Sequence, residues 1–277
     1  MKRSRKAIQR IWAAVWMKSA VIDLRTMINL KSIKTQLIFY LAVVAVVLTV
    51  RERDFPFLGG LVIATFAAIL IESFILYLKT KSMRITESSI ITGMIIGYVL
   101  SSDELWWKIA LTVLLAISSK YLIVLKKRHI FNPAAFGIFL STLLLGASTQ
   151  WTGTYRWFVL VPFGLYFAQR IKKIEIIIGY AIISLSLFGT QAVLQGVSLL
   201  NIFGYFSYFY IFIMVIEPKT TPFKPIAKYL FGAGAAALIF AFTEAGVRFD
   251  AELFSLLLMN ITVPLLNKIS LNKGGIT

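Results

Sequence analysis

Glu72 and Lys120 stand apart because each is a charge deep inside a long apolar stretch. A charge at mid-bilayer costs about 2.5–3.5 kcal/mol on insertion scales, so such residues face a bundle interior and find partners. At a rise of about 1.5 Å per residue, Glu72 lies about 9 Å and Lys120 about 8 Å from the same-side end of its stretch. Similar depth makes contact between them feasible, as part of an ion or proton path or as a structural ion pair. A Lys at this depth can also snorkel to the interface. A second group is Glu217-Pro218-Lys219-Thr220-Thr221-Pro222, which closes another apolar stretch. A third is Ser88, Thr92 and Gly93, preceded by Thr86-Glu87. Hydroxyls and an acid at a helix start are capping chemistry, and the same free amides can hold an anionic group. Gly93 and Gly97, like the Gly232–Ala237 run, also suit close helix packing. Finally, Asn132-Pro133 opens one stretch, and Asn260, Thr262 and Pro264 lie within another. Pro breaks the helical ladder, and Asn can satisfy the freed groups.

Composition narrows what these residues can do. The 277-residue chain is 58% hydrophobic and 15% charged, yet carries a net charge of +17. Mean hydropathy is +0.81. Soluble domains are about half apolar and a quarter charged, so the pattern is that of a polytopic membrane protein with basic loops rather than a nucleic-acid binder. Cysteine is absent and His129 is the single histidine. Disulfides, iron–sulfur ligation, thiol catalysis and multi-His metal sites are thereby excluded within one chain. No catalytic arrangement and no metal site is expected. His129, in KKRH, reads as a loop residue.

Ten apolar stretches must position the polar residues. They run 35–50, 55–78, 88–100, 105–125, 131–146, 157–168, 174–194, 200–216, 226–243 and 251–267. A bilayer core of about 30 Å needs about 20 helical residues. The third, fifth, sixth and eighth are short for a span and suit broken or re-entrant helices. With both termini inside, 23 of the 29 Lys and Arg fall on the inner side, nine of them in residues 1–34. This bias supports the alternation and cytoplasmic termini. Residues 1–34 read as a basic tail with an amphipathic, interfacial helix, and 271–277 as a cytoplasmic tail. Five plus five stretches predict two inverted repeats, over 35–150 and 151–270, with the two Asn/Pro segments in corresponding places. The fold class is all-α integral membrane, with about ten transmembrane helices.

Taken in order, ESSIITGMIIGYVLSSDELWW (Glu87–Trp107), Lys120 in ISSKYL, FNPAAFG (Phe131–Gly137), EPKTTP (Glu217–Pro222) and NITVPLLN (Asn260–Asn267) resemble the RnfD/NqrB family. These are membrane subunits of Rnf and Na+-translocating NADH:quinone reductase complexes. IES around Glu72 resembles the acid of the family's second helix. The resemblance implies a urea-transporter-like fold of two inverted five-helix repeats. It also implies a subunit that couples electron transfer to Na+ or H+ movement, or anchors a flavin or redox partner. The chain itself need not be catalytic. Expected partners are other membrane or membrane-associated redox subunits in the cytoplasmic membrane. Two departures bear on the cofactor. The long insertion with an S-x-A-T motif, which carries covalent FMN in the family, is absent between the fifth and sixth stretches. Glu217 also stands where the family has Asp. The expected cofactor is therefore a non-covalent flavin, riboflavin or FMN. The rival reading is a stand-alone channel or transporter for a small solute.

Overall fold

The structure, a computed structural model, describes residues 31–126, 128–154, 157–198, 203–204 and 206–269. The expected interfacial helix and the C-terminal tail lie outside the described residues, apart from 31–34. The described helices are α1 (Ile33–Glu52), α2 (Phe55–Thr80), α3 (Glu87–Val99), α4 (Trp106–Leu122), α5 (Pro133–Leu145), α6 (Trp157–Arg170), α7 (Ile174–Leu194), α8 (Pro225–Glu244) and α9 (Ala251–Leu266). A π-helical segment, Tyr210–Met214, precedes α8. Strands β1 (Val124–Leu125) and β2 (Arg128–His129) form an antiparallel hairpin after α4, with Val124 opposite His129. The described part of the chain is thus mostly helical, as befits a multi-pass membrane protein.

Helix lengths follow the apolar pattern. Among the described residues, α1, α2, α7 and α8 are long and apolar enough to cross a membrane. The stretches that read as short fold as short elements. The third and fifth give helices of 13 residues, the sixth one of 14, and the eighth contains the five-residue π-helical segment. At about 1.5 Å per residue, 13 residues reach about 20 Å.

Polar side chains fix the starts. Asp54 accepts from the Phe57 amide at 2.9 Å and Asp250 from that of Leu253 at 3.0 Å. Thr86 accepts from the Ser89 amide at 3.0 Å, and Asn132 from that of Ala135 at 3.0 Å, with Pro133 in the first turn. Each cap satisfies one of the amides a helix start leaves open. Outward faces are apolar too, as at Val46, Val47, Phe66, Leu70 and Phe74, which suits lipid contact.

Glycine sets the closest approaches. A Cβ at Gly93 would sit 2.5 Å from Thr65 Cα, and one at Gly97 2.5 Å from Leu61 Cα, so α3 lies backbone to backbone on α2. The α7–α8 contact is reciprocal: Gly179 abuts the Tyr229 carbonyl and Gly232 that of Ile176. Small residues allow such contact where lipid supplies no hydrophobic drive. Between these pairs runs an aromatic seam, with Tyr98 stacked on Phe209 at 5.0 Å. The Tyr98 hydroxyl donates to the Leu41 carbonyl at 2.6 Å. Gly232→Val is expected to lower stability by about 1–3 kcal/mol through overpacking. Gly59→Ala, where a Cβ meets nothing within 4 Å, is expected to leave it unchanged or slightly raised. Thermal melting of the detergent-solubilised protein checks both.

Candidate functional site

Glu72 and Lys120 meet. The Lys120 ammonium lies 3.3 Å from Glu72 Oε2, with both side chains buried. Neither carboxylate oxygen of Glu72 is left to the ammonium alone. Tyr121 donates its hydroxyl to Oε1 at 3.0 Å, and Thr86 donates to Oε2 at 3.1 Å. Lys120 also donates to Ser88, to the carbonyl at 3.2 Å and to the hydroxyl at 3.1 Å. The pair therefore ties α2 and α4 to the first turn of α3. Geometry of this kind is what a buried pair needs to offset desolvation. Glu87 anchors the same turn to α1, accepting from Ser32 at 2.9 Å and Thr35 at 2.5 Å.

The Glu217–Pro222 segment packs against this cluster from the second half. His129 is not a loop residue. It lies in β2, buried, with Nε2 3.4 Å from Glu217 Oε1. The hairpin turns its side chain inward, a signal that KKRH in sequence does not carry. Thr220 donates to Glu217 Oε2 at 3.3 Å, and Thr221 to the Glu217 carbonyl at 2.7 Å. From the other side, Lys173 donates to the Pro222 carbonyl. Lys228 donates to the Lys172 carbonyl at 2.7 Å and pairs with Glu175 at 3.1 Å.

The two Asn residues meet as well. The Asn132 amide N–H donates to Asn260 Oδ1 at 2.8 Å. The Asn132 side chain donates to the Met214 carbonyl at 3.3 Å, and Asn260 to the Thr220 carbonyl at 3.1 Å. Two buried amides thus satisfy backbone groups that the start of α5 and the end of the π-helical segment leave open.

Two cavities adjoin these contacts. One, about 400 Å³, is polar and is lined by Glu72, Lys120, Tyr121, Thr86, Glu87 and His129 among others. The other, about 150 Å³, is mostly apolar, with walls from Ile91, Ile95, Phe167, Phe212 and Ile213. Thr92, Asn132, Pro133 and Glu217 supply its polar edge. Ser88, Lys34 and Lys219 line both. Thr220, Thr221 and Asn260 shape the site from behind Glu217. Gly93 faces α2, and Thr262 donates to the Met259 carbonyl of its own helix at 2.8 Å. Neither lines these cavities. Tyr121, His129, Lys34 and Lys173 are not legible as site residues in the sequence, because nothing in their local surroundings distinguishes them from ordinary loop and helix-end residues.

Among the described residues, no group of three or more His, Cys, Asp or Glu is placed to hold a metal ion. The lining suits a flat, largely apolar ligand with a polar edge, beside two ammonium groups that could take an anionic tail. The apolar cavity alone is below the ~300–1,000 Å³ of common ligand pockets, so such a ligand would extend past Ser88 into the polar one.

A model of the NQR2, RnfD, RnfE family matches residues 139–274. No curated protein matches the chain.

The contacts set the outcome of two stability measurements. Lys120→Met leaves Glu72 buried without its cation and is expected to cost about 3–5 kcal/mol. Adding Glu72→Gln should recover most of that loss, read as melting temperature across the double-mutant cycle. Burial, then the Lys228 charge, holds Lys173 down to about 8 from 10.5. Below pH 8 the folded and unfolded states are both protonated there, so no slope arises. Between pH 8 and 10.5 the unfolded chain binds more protons, and stability rises with pH. Relative to Lys173→Met, the wild type is therefore expected to gain stability over that window, measured by denaturant unfolding at stepped pH.

Proposed function

Because the chain belongs to the NQR2, RnfD, RnfE family, we propose that it is a membrane subunit of an Rnf/Nqr-like electron transport complex. In this reading it seats a non-covalent flavin beside the Glu72–Lys120 pair and takes part in coupling electron transfer to Na+ or H+ movement. The observation that carries the reading is a buried ion pair opening onto a polar cavity that shares Ser88, Lys34 and Lys219 with an apolar one. A flavin so bound would supply one- and two-electron chemistry. The chain's own residues would do the positioning. Phe212 and the Ile side chains would pack the ring, Ser88, Thr92 and Asn132 would hydrogen-bond its edge, and Lys34 or Lys219 would meet a phosphate. Redox partners would come from other membrane or membrane-associated subunits, since the chain has no Cys and one His.

We further propose that the two halves are inverted repeats in the cytoplasmic membrane with both termini inside. Support comes from the Lys and Arg distribution and from the contact between the two Asn/Pro segments. Sites between such repeats lie near the midplane, where discontinuous helices meet.

An absorbance and fluorescence spectrum of the purified protein tests the flavin. The expected result is a flavin band whose fluorescence passes a denaturing filter. Fluorescence that stays with the chain on a denaturing gel would mean covalent attachment instead. A colourless protein that moves a small solute across liposomes without partners would replace the redox reading with that of a stand-alone transporter.

A further inference from the structure

The turn that joins the two halves lies at the opposite end of α3 from the cavities. Ser88, in the first turn of α3, lines both cavities. Val99 ends the helix about 16 Å further along it. Both cavities are open on the Ser88 side, where Lys34 and Lys219 are exposed on their rims. At the Val99 end the chain is covered. Tyr98, Val99, Leu100, Phe209 and Tyr210 are all buried there, and the cover is residues 147–154.

This strap leaves α5 at Gly146, whose φ of 59° suits glycine and which has open space around it. On the first half it is tied to α3 and its neighbours. The Gln150 amide donates to the Val99 carbonyl at 2.8 Å and the Thr152 amide to that of Tyr98 at 2.9 Å. These are carbonyls that the end of α3 leaves open. Ser148 donates to Glu104 Oε1, from its amide at 2.7 Å and its hydroxyl at 2.9 Å. On the second half the fastening is Asp250. Its Oδ2 accepts from Trp151 Nε1 and from the Thr149 hydroxyl, each at 2.9 Å, while its Oδ1 caps α9. The Thr154 and Ser207 hydroxyls meet at 3.2 Å.

Closure strains the backbone at one residue. Trp151 holds a φ of 53°. The other non-glycine residues with positive φ among the described ones, Arg53, Lys81, Lys126 and Lys172, follow helix ends or turn the β-hairpin. A bulky aromatic in that region is an outlier. It persists only where its surroundings over-determine it, and such residues cluster at switch segments. Here the constraint comes from both halves, through the Trp151 amide on the Val99 carbonyl at 3.2 Å and the indole N–H on Asp250. We propose that the strap is a releasable latch on two-sided access. With Asp250 engaged, the space between the halves is entered only from the Ser88 side. Freeing Trp151 and Thr149 from Asp250 relaxes the strap and opens that space from the other face. This latch does not depend on the flavin reading.

Thiol labelling from each face tests it. The chain has no cysteine, so Thr92→Cys, in the wall of the apolar cavity, provides a single reactive thiol. A charged, membrane-impermeant thiol reagent is added to right-side-out and to inverted membrane vesicles carrying the full chain, and labelling is read as a mass shift of that chain. Thr92→Cys alone is expected to label fast from one face and slowly from the other. Asp250→Asn, added to it, keeps a side-chain oxygen for the α9 cap but loses the carboxylate that accepts from Trp151 and Thr149. Where reclosing outpaces labelling, the rate follows the population of the open form. Labelling from the slow face should then rise about tenfold, with the fast face unchanged. Trp151→Phe, which keeps a ring and loses the N–H, should act in the same direction, and it keeps the test decisive if the Asp250 variant fails to fold. Equal labelling of Thr92→Cys from both faces overturns the proposal. So does an unchanged slow-face rate in a folded Asp250→Asn or Trp151→Phe protein, or a rise that is equal from both faces.

Discussion

The buried pair of Glu72 and Lys120 is the contact on which the first half of the bundle depends. Two charges at that depth are tolerable only when each is met by the other and by neutral donors and acceptors. Tyr121, Thr86 and Ser88 fill those places. Meeting that requirement draws the first turn of α3 onto α2 and α4. The same turn then faces open space, so Ser88 lines both cavities while Thr86 and Tyr121 line the polar one.

Short elements make room for such a site. α3 and α5 end well before a bilayer's thickness, and the chain before α8 winds into a π-helical turn. Backbone groups released at these ends need partners inside the protein, because lipid offers none. Asn132 and Asn260 provide them across the two halves. The Glu217–Pro222 segment is held on three sides, by His129, Asn260 and Lys173. It can therefore present Glu217 and Lys219 to the cavities without being part of a helix. At the far end, Asp250 closes the start of α9 against the 149–151 turn.

Much of this arrangement is legible in the amino-acid sequence. Glu72 and Lys120 stand out because apolar neighbours leave a charge no local solution, so a distant partner has to exist. The Asn/Pro segments stand out because Pro removes a hydrogen bond that must be replaced. Helix positions follow from runs of apolar residues, and the unusually short ones are visible as short runs. What stays hidden depends on tertiary placement. His129 needs a hairpin to turn inward, and Tyr121 is one of many aromatics until α4 brings it to Glu72. Lys173 looks like any basic residue at a helix start until Pro222 covers it. Gly93 is ambiguous for the same reason, since only the position of α2 decides which wall it faces.

The paired cavities that meet at Ser88 are where the chain is proposed to hold its ligand. Flavin retention by a Ser88→Trp variant is the decisive measurement, because Ser88 lines both cavities and a Trp there would fill their junction. The expected outcome is a folded protein, with melting lowered by loss of the Ser88 hydroxyl contact to Lys120, that purifies without the flavin proposed for the wild type. A folded Ser88→Trp protein that retains flavin at the wild-type ratio would place the ligand elsewhere and overturn the assignment.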